Sequence, residues 1–291
     1  MKVVLSVVLG SYNRLPFLKA AIRSIRENDI RVPYEILVVD GGSIDGSLAW
    51  LFKQKDILTI VQHNHGTFHG KPVPRRSWGY FMNLVFKSAQ GDYICMISDD
   101  SLLIPHAIMN GIAVVEQARS QGKKIGAAAF YWRNNWPDDK AYMVSRTVGN
   151  LPFVNHGLFV RSAVEEVGWF EERRYQFYCA DIDLCLRMHH AGYEILTAPN
   201  SFVEHYFHAT LSGRQKISAT KLADELALIQ VWSGEYPGIS METIVHQPLF
   251  LQQEDAKHTG YRLYPREEIL KIKALLLIQR VIHRLKRIFF K

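Results

Sequence analysis

Two adjacent carboxylates, Asp99 and Asp100, follow the apolar run YICMI and one serine in a chain of 291 residues. Adjacent carboxylates repel each other, so keeping both ionised beside a buried strand is costly without a cation. Mg²⁺ or Mn²⁺ bridging a diphosphate would remove the repulsion, because both ions prefer hard oxygen ligands. A solvated turn that carries two acids is the alternative. The pair therefore marks a candidate metal site without establishing one.

A second pair of acids, Asp181 and Asp183, lies in YCADIDLCLRMHH, where the spacing predicts the start of a helix. Acids at a helix start are favoured by the helix dipole, so capping is one interpretation. The preceding residues 177–179 are apolar, and a carboxylate in such surroundings could act as a general base with a raised pKa. Both interpretations stay open from this motif alone.

A third acid, Asp40, ends the apolar run EILVV and is followed by Gly41 and Gly42. Sheets of α/β proteins hold their ligands at the carboxyl ends of parallel strands, which gives this position a functional interpretation. A plain surface turn is the alternative interpretation.

The elements that must position these acids alternate along the first hundred residues. VVLSVVLG, EILVVD, LTIVQH and DYICMISDD are predicted strands, and LPFLKAAIRSIREN, GSLAWLFKQK and SWGYFMNLVFKSAQG are the predicted helices between them. This alternation predicts an α/β fold with a mostly parallel, Rossmann-like sheet flanked by helices. Residues from about 206 to 235 are polar and give no clear assignment. We expect one domain over residues 1–240 and a carboxyl-terminal extension over 241–291.

Composition excludes several classes of protein. No run of 18 apolar residues is present, so no transmembrane helix is predicted. The first residues lack a small-residue cleavage site and favour a strand over a signal peptide. The three cysteines form no CxxC pair and are odd in number, which indicates a reduced cytosolic protein.

The basic charge is concentrated in one segment. Residues 266–291 contain eight Lys/Arg and two Asp/Glu, a net charge of +6 out of +7 for the whole chain. With no basic stripe through the rest of the chain, nucleic acid is not a predicted partner. On a helix, Lys273, Arg280, Arg284 and Arg287 share one face opposite a broad apolar face, which favours an anionic membrane surface. Packing on the same domain or on a partner chain is the alternative.

Taken together, residues 3 to about 210 resemble family 2 glycosyltransferases, the inverting enzymes of the GT-A fold. The resemblance rests on five ordered segments: VVLGSYNR, VVDGGSIDGS, GYFMNLVFKSAQGDYICMISDD, GLFVRSAVEEVGWFEERRYQFYCADIDLCLRMHHAGYEI and VEH, which ends at His205. It implies a nucleotide-binding half over residues 1–105 and an acceptor half over 106–240.

The resemblance also implies roles for the residues near the nucleotide. Asp40 would bind the base of a nucleotide sugar. A carboxylate accepts from the N3–H group of uracil or thymine, or from the N1–H and amino groups of guanine, whereas cytosine offers no ring N–H. UDP- or TDP-sugars are the favoured donors. Tyr12 is expected near the base and Arg14 near the phosphates. Mg²⁺ or Mn²⁺ would be held by Asp100 and His205.

At the acceptor side, the resemblance implies that Asp181 is the general base. Trp132 and Trp136 could stack on acceptor sugars.

Two positions depart from the family pattern. The family's metal motif has two acids separated by one residue, followed by a proline four or five residues on. With Pro105 setting the register, Ser98 and Asp100 fill the motif; with paired acids, Asp99 and Asp100 fill it. The family's glutamate before the catalytic aspartate is Ala180, so a weak or inactive sugar- or nucleotide-binding module is an alternative function.

A nucleotidyltransferase on the same sheet is a further alternative, although GSYNRLPF lacks the Gly-rich, basic loop of such enzymes. The favoured prediction is a cytoplasmic, peripheral membrane enzyme of polysaccharide biosynthesis. Such an enzyme would elongate a glycan, most simply a lipid-linked one, and residues 266–291 would hold it on the anionic membrane surface.

Overall fold

A computed structural model describes residues 2–134, 141–206, 211–244 and 249–251 of the chain. The strands are β1 Leu5–Ser11, β2 Tyr34–Asp40, β3 Ile57–Val61, β4 Thr67–Phe68, β5 Lys71–Pro72, β6 Tyr93–Met96, β7 Ser101–Leu103, β8 Ile125–Asn134, β9 Tyr142–Val144, β10 Gly157–Val160, β11 Glu194–His205 and β12 Leu249–Leu251. The α-helices are α1 Leu15–Arg26, α2 Ser47–Leu51, α3 Trp78–Ser88, α4 Ala107–Ser120, α5 Arg161–Glu166, α6 Ala180–His190, α7 Leu211–Trp232 and α8 Met241–Ile244.

The amino-terminal half of the main sheet is parallel. Strand β1 pairs with β2 on one side and with β6 on the other, and β3 extends the sheet beyond β2. The side chains of β1, β2 and β6 are largely buried, as expected for parallel strands, whereas those of β3 are partly exposed. The predicted α/β fold with a Rossmann-like sheet is confirmed. The carboxyl ends of β1, β2 and β6 lie at the same edge, where the candidate acids follow them.

The second half adds antiparallel strands to that sheet. Strand β10 lies between β6 and β8 and is antiparallel to both. Strand β11 is parallel to β8 and, at its end, antiparallel to the short strand β7. This last pairing places His205 opposite Ser101, so the end of β11 is held beside the residues that follow β6.

The polar segment without a sequence assignment contains helix α7. Its buried side chains include Asp224, Leu228 and Trp232, which share one helical face. An acid within this face interrupts the apolar pattern from which a helix would normally be recognised.

The carboxyl-terminal prediction lies outside the described residues, because the segment 266–291 is not among them. Within the described part of the chain, no helix is long and apolar enough to cross a membrane. The division into residues 1–240 and an extension stays a prediction.

Candidate active site

Asp99 and Asp100 lie at the carboxyl end of β6 and share one cation from the chain itself. The Nη1 atom of Arg14, at the exit of β1, lies 3.1 Å from Oδ1 of Asp99 and 2.7 Å from Oδ2 of Asp100. Both aspartates are buried, whereas the arginine side chain is 38% exposed. The repulsion expected between the two acids is therefore partly balanced by a guanidinium group, and Arg14, predicted near the phosphates, lies directly on the acidic pair.

The two carboxylates differ in their protonation equilibria. Burial raises the pKa of Asp99 to about 6, and the charge of Asp100 adds to this effect while Arg14 opposes it. Burial would also raise the pKa of Asp100, but His205, Arg14 and the Ser98 hydroxyl outweigh burial and hold it below its usual range. The hydroxyl group of Ser98 donates to Oδ1 of Asp100 at 2.6 Å. Asp100 therefore stays ionised to a lower pH than Asp99 does.

His205 reaches the same carboxylate from strand β11. Its Nε2 atom lies 3.4 Å from Oδ1 of Asp100, and its Nδ1 atom lies 3.2 Å from Oδ1 of Asn134. The backbone N–H of Tyr206 donates to the carbonyl oxygen of Asp100 at 2.7 Å. The pairing of β7 with β11 thus brings together two side chains that are more than a hundred residues apart in the sequence.

A buried ion pair supports the end of β11 behind this histidine. The Nη2 atom of Arg133 lies 2.6 Å from Oε1 of Glu204, and the hydroxyl group of Tyr142 donates to the same oxygen at 2.5 Å. Glu204 is fully buried and Arg133 is 6% exposed. Removing one partner of such a pair leaves an uncompensated charge, so the pair constrains the backbone that carries His205.

The side chains present fit a hard divalent cation with few protein ligands. Asp100 and His205 offer an oxygen and a nitrogen that converge, and Oδ2 of Asp99 is buried without a hydrogen-bond partner among the described residues. Within those residues, no group of three or more His, Cys, Asp or Glu side chains could hold a metal ion. Mg²⁺ commonly binds through one or two carboxylates together with waters and substrate phosphates, so the two side chains of Asp100 and His205 would suffice.

Asp40 is fully buried and forms its own turn. Its Oδ1 atom accepts from the backbone N–H groups of Gly42 and Ser43 at 2.9 and 2.7 Å, and its Oδ2 atom accepts from the Ser43 hydroxyl at 2.7 Å. Gly42 has φ +86°, and a Cβ atom there would lie 2.4 Å from Nδ1 of His63. The carboxylate is thus largely committed to the turn, and its contact with a nucleotide base stays a prediction.

Tyr12 lies beside this turn, at the exit of β1. Its ring stacks on that of His65 with centroids 4.1 Å apart and an angle of 18° between the planes. The Nη2 atom of Arg75 lies 2.8 Å from Nδ1 of His65. This stacked pair gives the predicted base-binding region an aromatic surface. His63 and His65 lie beside Gly42 and Tyr12, and the sequence pattern did not single them out.

Asp181, the predicted base, lies at the start of α6. Its Oδ2 atom accepts from Nδ2 of Asn155 at 3.1 Å, and its Oδ1 atom accepts from the backbone N–H of Ile182 at 2.9 Å. Burial raises the pKa of Asp181 to about 6, partly opposed by these two hydrogen bonds. A carboxylate with this pKa is ionised at neutral pH and can still accept a proton in a reaction.

Asn155 and His156 connect the two parts of the site. Asn155 contacts Asp181, and the ring of the next residue, His156, lies 5.4 Å from that of His205 between centroids. Burial lowers the pKa of His156 to about 3, so this imidazole is neutral. Trp132 lies within 5.7 Å of His205 and 6.2 Å of His156 between ring centroids. Its predicted companion, Trp136, lies outside the described residues.

This central region contains polar atoms without protein partners. Three buried atoms have no hydrogen-bond partner among the described residues: Nε1 of Trp132, Oδ1 of Asn155 and Nδ1 of His156. Buried polar groups are normally satisfied, so these atoms are available to a polar ligand or to water. Sequence reasoning missed Asn155 and His156, because a single Asn-His pair before an apolar strand carries no recognisable spacing.

Comparison with solved structures supports the fold. The S. aureus TarS fragment 1–349 superposes with a TM-score of 0.51 at 11% identity, covering 78% of this chain and 65% of that one. The mannosyltransferase PcManGT from Pyrobaculum calidifontis, solved with GDP-Man and Mn²⁺, superposes with a TM-score of 0.53 at 17% identity, covering 81% of this chain and 64% of that one. At such identities the likeness shows the GT-A fold.

Curated relatives cover the chain in part. An uncharacterized glycosyltransferase, MG060 of Mycoplasma genitalium, is 28% identical over 137 residues, 45% of this chain and 42% of its own length. An uncharacterized protein, y4gI of Sinorhizobium fredii, is 21% identical over 241 residues, 72% of this chain and 25% of its own length. The chain thus spans less than half the length of either relative.

The family model for glycosyl transferase family 2 matches residues 6–160. The match runs from β1 through β10 and includes Arg14, the acidic pair and the Asn155–His156 segment. Because it spans more than half of the chain, the protein belongs to glycosyltransferase family 2.

Proposed function

We propose that the protein is a metal-dependent, inverting glycosyltransferase that moves a sugar from a nucleotide sugar to a hydroxyl group of a glycan. The observation that carries the proposal is the arrangement of two different carboxylate sites around Asn155 and His156. Asp100, with His205, forms the ionised site, and Asp181, with a pKa of about 6, forms the basic one. An anionic leaving group and an acceptor proton require these two kinds of site.

In the proposed reaction, ionised Asp181 accepts the proton of an acceptor hydroxyl group. The hydroxyl oxygen forms a bond to the anomeric carbon while the bond from that carbon to the diphosphate oxygen breaks, and the electron pair leaves with the nucleoside diphosphate. Asn155 orients the carboxylate through its 3.1 Å hydrogen bond. Mg²⁺ or Mn²⁺ held by Asp100 and His205 would stabilise the charge of the leaving diphosphate.

The donor is proposed as a UDP- or TDP-sugar, with a GDP-sugar as the next choice. TarS has been solved with UDP-GlcNAc and PcManGT with GDP-Man and Mn²⁺, which supports a nucleotide-sugar donor and a divalent ion for the fold. In this chain, Tyr12, His65 and the Asp40 turn would surround the base. Arg14 carries a partly exposed positive charge beside the acids and would face the phosphates.

The acceptor is proposed as a glycan, and a lipid-linked glycan is favoured by the basic segment 266–291. The neutral amide, imidazole and indole groups of the central region suit neutral sugar hydroxyls. Attachment to the cytoplasmic face of a membrane is part of the same proposal.

The test is a screen of UDP-, TDP-, GDP- and CDP-sugars with Mn²⁺ or with EDTA, following thermal shift and release of nucleoside diphosphate. We expect the nucleotide sugars of one base to stabilise the protein in the presence of Mn²⁺. The corresponding nucleoside diphosphate should be released from them. Asp181→Asn is the control, since it should bind the donor without releasing product. Binding without release by the wild type would contradict the transferase.

A non-catalytic nucleotide-sugar module is the second candidate. The specific observation is Ala180, which is 1% exposed and carries no acid beside Asp181. The same screen separates the two functions, because a binding module would show the thermal shift but no release with any acceptor.

A further inference from the structure

Helix α7 supplies a carboxylate that binds three consecutive backbone N–H groups. Asp224 accepts at Oδ1 from the backbone N–H of Gln176 at 2.8 Å. Its Oδ2 atom accepts from the backbone N–H groups of Phe177 and Tyr178 at 2.8 and 2.7 Å. Asp224 is 3% exposed, so these bonds replace the hydration of its charge. Hydrogen bonds to an ionised acceptor are shorter and stronger than neutral ones, as these distances indicate.

The loop that Asp224 holds leads directly to the proposed base. Residues 176–178 are outside helices and strands, and they are followed by Cys179, which adopts a left-handed conformation with φ +67° and immediately precedes α6. Cys179 makes no side-chain capping bond to the helix. Because Asp181 is the second residue of α6, the path of this loop sets where the helix begins and which way the Asp181 side chain points.

The same helix also holds Asp183, two residues after the proposed base. Nε1 of Trp232, eight residues beyond Asp224 on α7, donates to Oδ1 of Asp183 at 3.0 Å. The hydroxyl group of Tyr175 donates to the same oxygen at 3.1 Å, and Nε of Arg187 donates to Oδ2 at 2.8 Å. Asp183 is therefore occupied by structural contacts, and α7 contacts the chain on both sides of Asp181.

We propose that Asp224 is a positioning residue for glycosyl transfer, which acts on Asp181 through the backbone of residues 176–178. The inference rests on the proposed role of Asp181 as the base. Position 180 is alanine, so the neighbouring side chain cannot orient Asp181 by a polar contact. The carboxylate of α7 orients it instead, from a segment 43 residues further along the chain.

The test compares Asp224→Asn and Asp224→Glu with Leu228→Ala in the full-length chain. Leu228 is fully buried in the same helix, so its truncation destabilises α7 while leaving the carboxylate in place. The first readout is nucleoside diphosphate release from whichever nucleotide sugar the wild type turns over, with kcat and KM measured separately. The second is hydrogen exchange, measured by mass spectrometry, in peptides covering residues 175–183.

For Asp224→Asn we expect kcat to fall by about 10²-fold, the effect of a misplacement near 1 Å, with KM for the donor changed by no more than about twofold. Exchange at residues 176–178 should be faster than in the wild type. Asp224→Glu, which keeps the carboxylate, should recover part of kcat. Leu228→Ala should lower Tm at least as much as Asp224→Asn but change kcat by less than about threefold.

A kcat for Asp224→Asn within about threefold of the wild type would overturn the proposal, as would an equal loss of kcat in Leu228→Ala. If the wild type releases no diphosphate from any nucleotide sugar, the proposed transferase and the role of Asp224 in transfer both fail. Exchange then reports separately on the loop, because unchanged exchange in Asp224→Asn would show that the carboxylate does not hold it.

Discussion

Asn155 donates a 3.1 Å hydrogen bond from Nδ2 to Oδ2 of Asp181 while its own Oδ1 atom has no partner among the described residues. The amide therefore has a fixed orientation, since the reverse orientation would place two oxygens against each other. This bond favours the ionised carboxylate and limits the rise in its pKa that burial causes. A base with a pKa near 6, ionised at neutral pH, is the result.

Asp181→Asn is expected to reduce turnover by 10²–10⁴-fold, the usual contribution of a general base, because an amide cannot take the acceptor proton. Binding of the nucleoside diphosphate should change little. Turnover and calorimetric titration of the preferred diphosphate check the two parts. Retention of more than about a tenth of wild-type turnover would count against Asp181 as the base.

The pH dependence of kcat/KM is expected to follow the ionisation of Asp181. The base is active when deprotonated, so the rate should fall as the pH decreases through about 6 and should level off above it. Initial rates between pH 4.5 and 8 at fixed Mn²⁺ provide the measurement. A rate that stays flat down to pH 4.5 would contradict a carboxylate base with a raised pKa.

Ionisation of Asp181 should lower the free energy of unfolding of the wild type, whereas ionisation of a salt-bridged acid raises it. The pKa of Asp181 is higher in the folded protein, about 6, than the ordinary value of 3.8. Folding therefore favours the protonated form, and ionisation costs stability as the pH rises from about 4 to 6. The free energy of unfolding of Asp181→Asn, relative to that of the wild type, should increase by on the order of 2–3 kcal/mol between pH 4 and pH 7.5, as measured by urea unfolding. If the difference in unfolding free energy between the variant and the wild type is the same at both pH values, the raised pKa is contradicted.

Asp100→Ala is expected to abolish the effect of Mn²⁺ on UDP binding, and Asp99→Ala should weaken it less. Asp100 contacts His205, Arg14 and Ser98, whereas Asp99 contacts Arg14. Titration of each variant with UDP, with and without Mn²⁺, shows which of the two substitutions has the larger effect. Binding by Asp100→Ala that is indistinguishable from the wild type would mean that the metal site is elsewhere.

Asp40→Asn is expected to weaken binding of the preferred nucleoside diphosphate about tenfold or more, since a charge-assisted hydrogen bond contributes roughly 1.5–3 kcal/mol. It should also flatten the preference among UDP, TDP, GDP and CDP. The matched control is Ser43→Ala, which removes a turn bond from the same carboxylate but keeps its charge. An unchanged ranking in Asp40→Asn would leave Asp40 with a role in the turn alone.

Removal of the segment after Pro265 is expected to abolish binding to anionic vesicles at low salt. Each Lys or Arg near such a surface contributes about 1 kcal/mol, and the segment 266–291 has a net charge of +6. Co-sedimentation with phosphatidylglycerol vesicles compares the full chain, the chain ending at Pro265, and a full chain with Arg280, Arg284 and Arg287 changed to Gln. Equal binding by the first two proteins would indicate a packing segment instead.

The sequence predicts the parallel half of the sheet well, because β1, β2 and β6 are mostly apolar runs that end at acids or polar turns. It does not predict α7, where the buried face contains Asp224 and the apolar period is broken. The pairing of β7 with β11 also escapes prediction, since a three-residue strand has no readable alternation.

Within the candidate site, strand ends predict where Asp99, Asp100 and Asp40 lie. The sequence does not predict that Arg14 pairs with Asp99 and Asp100, because Arg14 follows β1 and the two acids follow β6, far away in the sequence. The sequence also does not predict that the Asp40 carboxylate accepts hydrogen bonds from the residues of its own turn.

Because Arg133 and Glu204 form a buried ion pair, the effects of substitutions at these two positions are coupled. Changing either one alone leaves a charge in the core and costs roughly 3–5 kcal/mol, whereas exchanging both for well-packed apolar residues can be neutral. A route between the two states through single substitutions therefore passes through a poorly folded intermediate. Laboratory evolution of this protein is consequently expected to vary positions 133 and 204 together or to leave both untouched.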